Sequence, residues 1–128
     1  MKNIKKTTDI NRLLGAATAL YGAAIMARPE WLAKPCALPS EPGGRVPRDT
    51  GLLIRAFGSR DLVIGLVMVA ATGDDARRLA TWCRVAADTS DAVVFGTQLP
   101  QKQARLKAAG AAISWAALCA LSLRSIRS

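Results

Sequence analysis

This chain has no histidine. That removes the commonest metal and haem ligand, and with it any Ser-His-Asp or Cys-His catalytic machinery. Aromatic residues are few, at 5% of the chain. The three cysteines, Cys36, Cys83 and Cys119, form no Cys-x-x-Cys pair, and an odd number cannot all pair within one chain. Cys83 and Cys119 lie in apolar runs, where a free cysteine usually acts as a small hydrophobe. No strand-like alternation of useful length, low-complexity tract or cofactor-type glycine loop is present. No metal site and no cofactor is expected. Any chemistry must rest on Asp, Arg, Tyr21, Cys or Ser and Thr.

Acidic residues are also scarce, nine against eighteen Lys and Arg, which leaves a net charge of +9. Such a charge suits anionic lipid headgroups or nucleic acid. The basic residues are scattered, and no helix-turn-helix, zinc or aromatic-basic recognition motif accompanies them, so nucleic acid is not an expected partner.

The chain does have four apolar runs. At 128 residues it is expected to form a single domain, residues 1–128. The first run, Leu13 to Ala27, is 15 uncharged residues. It would extend about 22 Å as a helix, short of the roughly 30 Å hydrocarbon core unless its flanks take part. Thr8 or Asp9 could cap it. The basic start and the Ile25-Met26-Ala27 end also match the plan of a cleavable signal peptide. Arg28 to Gly51 carries five prolines and a Gly43-Gly44 pair, so no regular helix is expected there. It reads as a crossover or as a lid over a site. Trp31 in this segment suits a membrane-interface anchor.

The second run, Leu52 to Thr72, holds Arg55, Arg60 and Asp61 in its first half. Gly73-Asp74-Asp75 then turns the chain, with Asp74 or Asp75 as a cap. The third run, Leu79 to Leu99, contains Arg84, Asp88 and Asp91 at spacings of four and three, which puts all three on one helix face. Pro100 ends it. The fourth run, Ala108 to Leu123, has no charged face, and a basic tail with Arg124 and Arg127 follows.

These runs predict an all-α fold: a four-helix transmembrane bundle, up-down, with a Pro-rich first loop and helices at about 10–28, 52–72, 76–98 and 103–124. Two features favour the bilayer over a soluble bundle. The first and fourth runs lack the polar stripe of a soluble surface helix. Small residues also recur every fourth position, at Gly15-Ala19-Ala23-Ala27 and Ala108-Ala112-Ala116-Ala120, and Gly58 and Gly65 stand seven apart. Such ladders let membrane helices approach closely. The charges of the middle runs balance, Arg55, Arg60 and Arg84 against Asp61, Asp88 and Asp91, as intramembrane ionisable groups require. The expected location is the cell inner (plasma) membrane, multi-pass. Eight flanking basic residues on the N-terminal side, Lys2, Lys5, Lys6, Arg12, Arg77, Arg78, Arg124 and Arg127, stand against seven on the other, Arg28, Lys34, Arg45, Arg48, Lys102, Arg105 and Lys107, and lean towards both termini in the cytoplasm.

GSRDLVIG in the second helix, the Asp-x-x-Asp pair in the third and a proline soon after the first resemble a family of small bacterial and fungal four-helix integral membrane proteins of unassigned function. The resemblance covers most of the chain from about Leu13. It implies Gly58, Arg60, Asp61, Asp88 and Asp91 as the matching positions, and it implies no reaction.

Three functional readings follow from the Arg/Asp cluster. One is a purely structural lock between the second and third helices. Another is a pocket for a hydrophobic small molecule. Asp88 and Asp91, with Asp61, would supply acid and base for isomerisation, cyclisation or epoxide opening of a lipid or terpenoid. Arg60 and Arg84 would tune them, and Tyr21 and Trp115 would line the site. The last is a transport or proton-relay path, which needs several copies and hence a homo-oligomer.

Overall fold

The structure is a computed structural model, and it describes residues 2–126, with side chains from Ile10 onward except that of Ser125. The side chains of Lys2, Lys5, Lys6, Thr8 and Asp9, and the whole of Arg127, lie outside what is described. Among the described residues the fold is all-α, with no strand. It comprises α1 (Lys2–Ala27), a one-turn α2 (Glu30–Ala33), α3 (Arg48–Ala70), α4 (Asp74–Gln98), α5 (Lys102–Ser122) and a closing 3-10 turn, Leu123–Ser125.

The element boundaries follow turn chemistry more than hydropathy. Helix α1 runs through Thr8 and Asp9 instead of starting there, and it stops just before Pro29. Helix α3 begins one residue after Pro47 with a polar turn, Arg48-Asp49-Thr50, four residues ahead of the expected start. The expectation of no helix between the prolines is corrected by α2, a single turn that a chain can complete between Pro29 and Pro35. Gly73 holds the N-cap position of α4 without a side-chain hydrogen bond, so neither Asp74 nor Asp75 caps it. Both lie in the first turn, where their charge suits the positive end of the helix dipole.

The four long helices alternate in direction. Gly58 of α3 meets Gly22 of α1, and Gly65 meets Gly15. On α3 and α4, Phe57 pairs with Phe95, and Met68 packs with Ala80. On α4 and α5, Gly96 faces Ala109, and Ala80 shares a cluster with Cys119. Trp115 of α5 bonds Thr18 of α1, and Ser122 bonds Asn11. In each pair one number rises as the other falls, which is the antiparallel pattern.

Close approach between α1 and α3 depends on glycine. A methyl group at Gly58 would lie 2.6 Å from the Gly22 carbonyl oxygen and 2.9 Å from Ile25. The buried stripe on α1 is Gly15, Thr18, Ala19, Gly22 and Ile25, while Ala23 and Ala27 of the expected ladder face outwards. A strict four-residue row drifts around a helix of 3.6 residues per turn, so contact passes to the three-and-four spacing.

The interior mixes polar with apolar side chains, Ile25, Met68 and Ile126 lying fully buried beside polar ones, while many large aliphatic side chains are exposed. Arg84, Asn11 and Thr81 are among the largest fully buried side chains, and much of the remaining interior is Ala, Gly, Cys and Ser. Leu13, Leu20, Leu53, Val63, Leu106, Ile113 and Leu121 point outwards, Leu20 with 72% of its surface exposed. Ile10–Ala27 in α1 and Lys102–Ser122 in α5 are long and apolar enough to cross a membrane. At 1.5 Å per residue, the 21 residues of α5 extend about 31 Å.

Candidate functional site: an ion cluster on the wall of an apolar cavity

Apolar packing gathers at the two ends of the helices. Ile25, Ala33 and Ile54 form one cluster, Cys36, Leu99 and Ala104 a second, and Met68, Ala80 and Cys119 a third. The charged residues meet between them. Arg60 and Asp61 come from α3, and Arg84, Asp88 and Asp91 from one face of α4.

The connections are specific. Arg84 donates through Nη1 to Asp61 Oδ1 at 2.6 Å, and through Nε to Asp88 Oδ2 at 3.0 Å. Its Nη2 holds the other Asp88 oxygen. Arg60 forks onto Asp91, Nη1 to Oδ1 at 3.1 Å and Nη2 to Oδ2 at 2.7 Å. It also donates to Asp61 Oδ1 from Nε at 3.3 Å and from Nη2 at 3.1 Å. The planar guanidinium fork suits this bidentate geometry, which a lysine could not reproduce. Arg60 also lies over the Phe57 ring, with Cζ 4.2 Å from the centroid. Such a contact favours a cation out of water.

Two consequences follow. Every oxygen of Asp88 and Asp91 is held by an arginine, whereas all three bonds to Asp61 fall on Oδ1. Asp61 Oδ2 is therefore the one cluster oxygen that takes no hydrogen bond from these arginines. The cluster also has three carboxylates against two guanidiniums. The expected balance required Arg55, and the structure corrects this: Arg55 donates from Nε to the Met26 carbonyl oxygen at 3.1 Å, near the end of α1. Five residues before Arg60, its direction differs by about 140° around α3, so it cannot reach the same face.

The cluster forms part of the wall of a cavity of 540 Å³. Asp61, Arg84, Asp88 and Asp91 line it, together with Phe57 and Phe95. Ala17, Thr18 and Tyr21 of α1 form one side, and Lys107, Ala108, Ala111, Ala112 and Trp115 of α5 the other. Leu32, Pro35 and Cys36 of the proline-rich segment also contribute, so that segment covers part of the site. Trp115 Nε1 donates to Thr18 Oγ1 at 2.9 Å, linking α5 to α1, and Thr18 donates in turn to the Leu14 carbonyl oxygen. Ala17, Tyr21, Lys107 and Ala111 are exposed, so the cavity opens between α1 and α5, the two helices suited to crossing a membrane. The residues expected to form the site meet in one region: Asp61, Arg84, Asp88, Asp91, Tyr21 and Trp115 line the cavity, and Arg60 lies behind the wall bonded to Asp91 and Asp61, while Arg55 stays apart. Among the described residues no group of His, Cys, Asp and Glu is arranged to hold a metal ion.

A second polar node escaped the sequence reading. Asn11, with no exposed surface, donates to Thr81 Oγ1 at 3.0 Å and Ser122 Oγ at 2.9 Å, and accepts from Arg77 Nη2 at 3.0 Å. Arg77, taken as a flanking charge beside the Asp74-Asp75 turn, is instead interior at 2% exposure. The signal was present: Arg77, Thr81, Arg84, Asp88 and Asp91 follow one helix face at four-and-three spacing.

No family model matches this chain, and no curated protein or solved structure matches it either.

Proposed function

We propose that this chain is a small multi-pass membrane protein, its four long helices forming a transmembrane bundle, and that it binds a hydrophobic small molecule between α1 and α5. The observation that carries the reading is the 540 Å³ cavity, with alanine and aromatic walls set against a buried ion cluster. Ligand sites are typically apolar concavities with a few convergent polar groups. The packing supports the membrane part: large aliphatic side chains outside and ions inside suit a lipid solvent. The resemblance carried by GSRDLVIG and the Asp-x-x-Asp pair accords with this placement and adds no reaction. With Arg77 withdrawn into the interior, the flanking basic charges no longer lean either way, so orientation is not part of the proposal.

Binding has better support than proton-transfer chemistry at Asp88 and Asp91, because arginines occupy both oxygens of each. The same saturation supports a second reading, in which the cluster serves only to fix the register of α3 and α4.

The test is to reconstitute wild type and Ala112→Phe in bilayer nanodiscs, extract both and compare the extracts by mass spectrometry. The added ring fills the cavity from α5. Wild type is expected to retain a small hydrophobic compound that the variant loses. Identical extracts would contradict the binding reading.

A further inference from the structure

The geometry points to a lipophilic amine as the ligand: a protonated amino group carried on a hydrocarbon body, bound with its charge against Asp61. This inference rests on the binding reading above and names the class of molecule bound.

Three observations on the site agree. The cluster carries one more carboxylate than guanidinium, so it has an excess negative charge within an apolar cavity. An uncompensated buried charge is costly, and a cation delivered by the ligand removes that cost. The excess also has a location. Asp61 is 4% exposed and lines the cavity, and its Oδ2 takes no bond from Arg60 or Arg84. An ammonium N–H can donate to that oxygen without displacing an arginine. Finally, the lining includes Tyr21, Phe95 and Trp115 along with a row of alanines, surfaces that suit a cation next to a hydrocarbon chain.

The other charged groups in and behind the cavity wall favour this sign. Arg84 is engaged with Asp61 and Asp88, and Arg60 with Asp91 and Asp61. Lys107 lines the cavity from an exposed position on α5. A carboxylate or phosphate ligand would find Lys107 at the rim but three carboxylates along the wall. A neutral ligand would leave the excess charge where it is.

The experiment uses Trp115 as reporter in a Trp31→Phe, Trp82→Phe background in zwitterionic nanodiscs. Both replaced tryptophans are exposed and absent from the cavity lining. The probes are 8-bromooctylamine, 8-bromooctanol and 8-bromooctanoate, which share a chain and differ in charge. Bromine quenches indole, and quenching that saturates marks a bound site, whereas partition into lipid rises without a plateau. The amine is expected to saturate at about a tenfold lower concentration than the alcohol, the difference a charge-assisted hydrogen bond supplies. Asp61→Asn is expected to bring the two probes together. Saturation of amine and alcohol at the same concentration, or tighter binding of the octanoate, overturns the amine and leaves the cavity reading standing. Linear quenching by all three probes overturns the cavity reading itself. The wild-type comparison decides the matter even where Asp61→Asn fails to fold.

Discussion

Arg84 ties two helices together through one carboxylate: its Nη1 lies 2.6 Å from Asp61 Oδ1 on α3 while its Nε holds Asp88 one turn along α4. Arg84 has 2% of its surface exposed. Removing its charge leaves two buried carboxylates without their main partner. Arg84→Met is expected to lower stability by roughly 3–5 kcal/mol, the usual cost of breaking a buried pair from one side. Arg84→Lys should fall between, because the charge stays and the fork is lost. Thermal unfolding in detergent measures both. A variant Arg84→Met that melts with wild type would show that the cluster does not hold the helices.

Helix contact predicts opposite signs at two glycines. At Gly58 an added methyl meets the Gly22 carbonyl oxygen and Ile25, so Gly58→Ala should force α1 and α3 apart at a cost of about 1–3 kcal/mol. At Gly110 in α5 nothing lies near an added methyl. Gly110→Ala should stabilise by about 0.5–1 kcal/mol through the unfolded chain. The two melting curves should move in opposite directions from wild type.

The node around Asn11 makes a separate prediction. Asn11→Ala deletes three hydrogen bonds, to Thr81, Ser122 and Arg77. A hydrogen bond contributes about 0.5–1.5 kcal/mol net, and one to a charged group about 1.5–3 kcal/mol, so a loss of roughly 3–5 kcal/mol, near the range of Arg84→Met, is expected. Asn11 and Arg77 bond each other, so Asn11→Ala and Arg77→Met should be non-additive, while this node and the ion cluster share no partner among the described residues, so Asn11→Ala and Asp91→Asn should add.

Cys36 sits between α2 and α3, almost wholly buried, and burial pushes its thiol above the ordinary cysteine value. Less thiolate is therefore present at neutral pH than for a free cysteine. In a Cys83→Ser, Cys119→Ala background, alkylation by N-ethylmaleimide should be slow at pH 7 and keep accelerating past the pH where a model thiol has levelled off. A rate that levels off with the model thiol would contradict this burial.

Much of the fold was legible because hydrophobic runs and proline punctuation both mark helices. The all-α class and the four long elements follow from that, and the meeting of Arg60, Asp61, Arg84, Asp88 and Asp91 follows from helical spacing on α4 together with the need of buried charges for partners. What was missed has a common cause. The starts at Arg48, Asp74 and Lys102 are polar first turns, which apolar runs do not reveal. Arg55 and Arg77 exchange expected roles because the angle around the helix, not sequence neighbourhood, sets which charge faces inwards. Arg55 lies beside the cluster in sequence and turns away from it, while Arg77 lies beside a turn and points inside. A pocket beside the cluster is expected from the sequence, but its size and its opening are not legible there, since they arise from how far α1 and α5 stand apart.

The central claim is that a bilayer covers the exposed Leu, Ile and Val side chains of this bundle. The most direct measurement is alkaline carbonate extraction of membranes from cells expressing the full chain, followed by centrifugation. The account predicts that the protein stays in the pellet and is released only by detergent. Recovery in the carbonate supernatant as a soluble species would contradict it, and the outward aliphatic surface would then have to be covered by other copies of the chain.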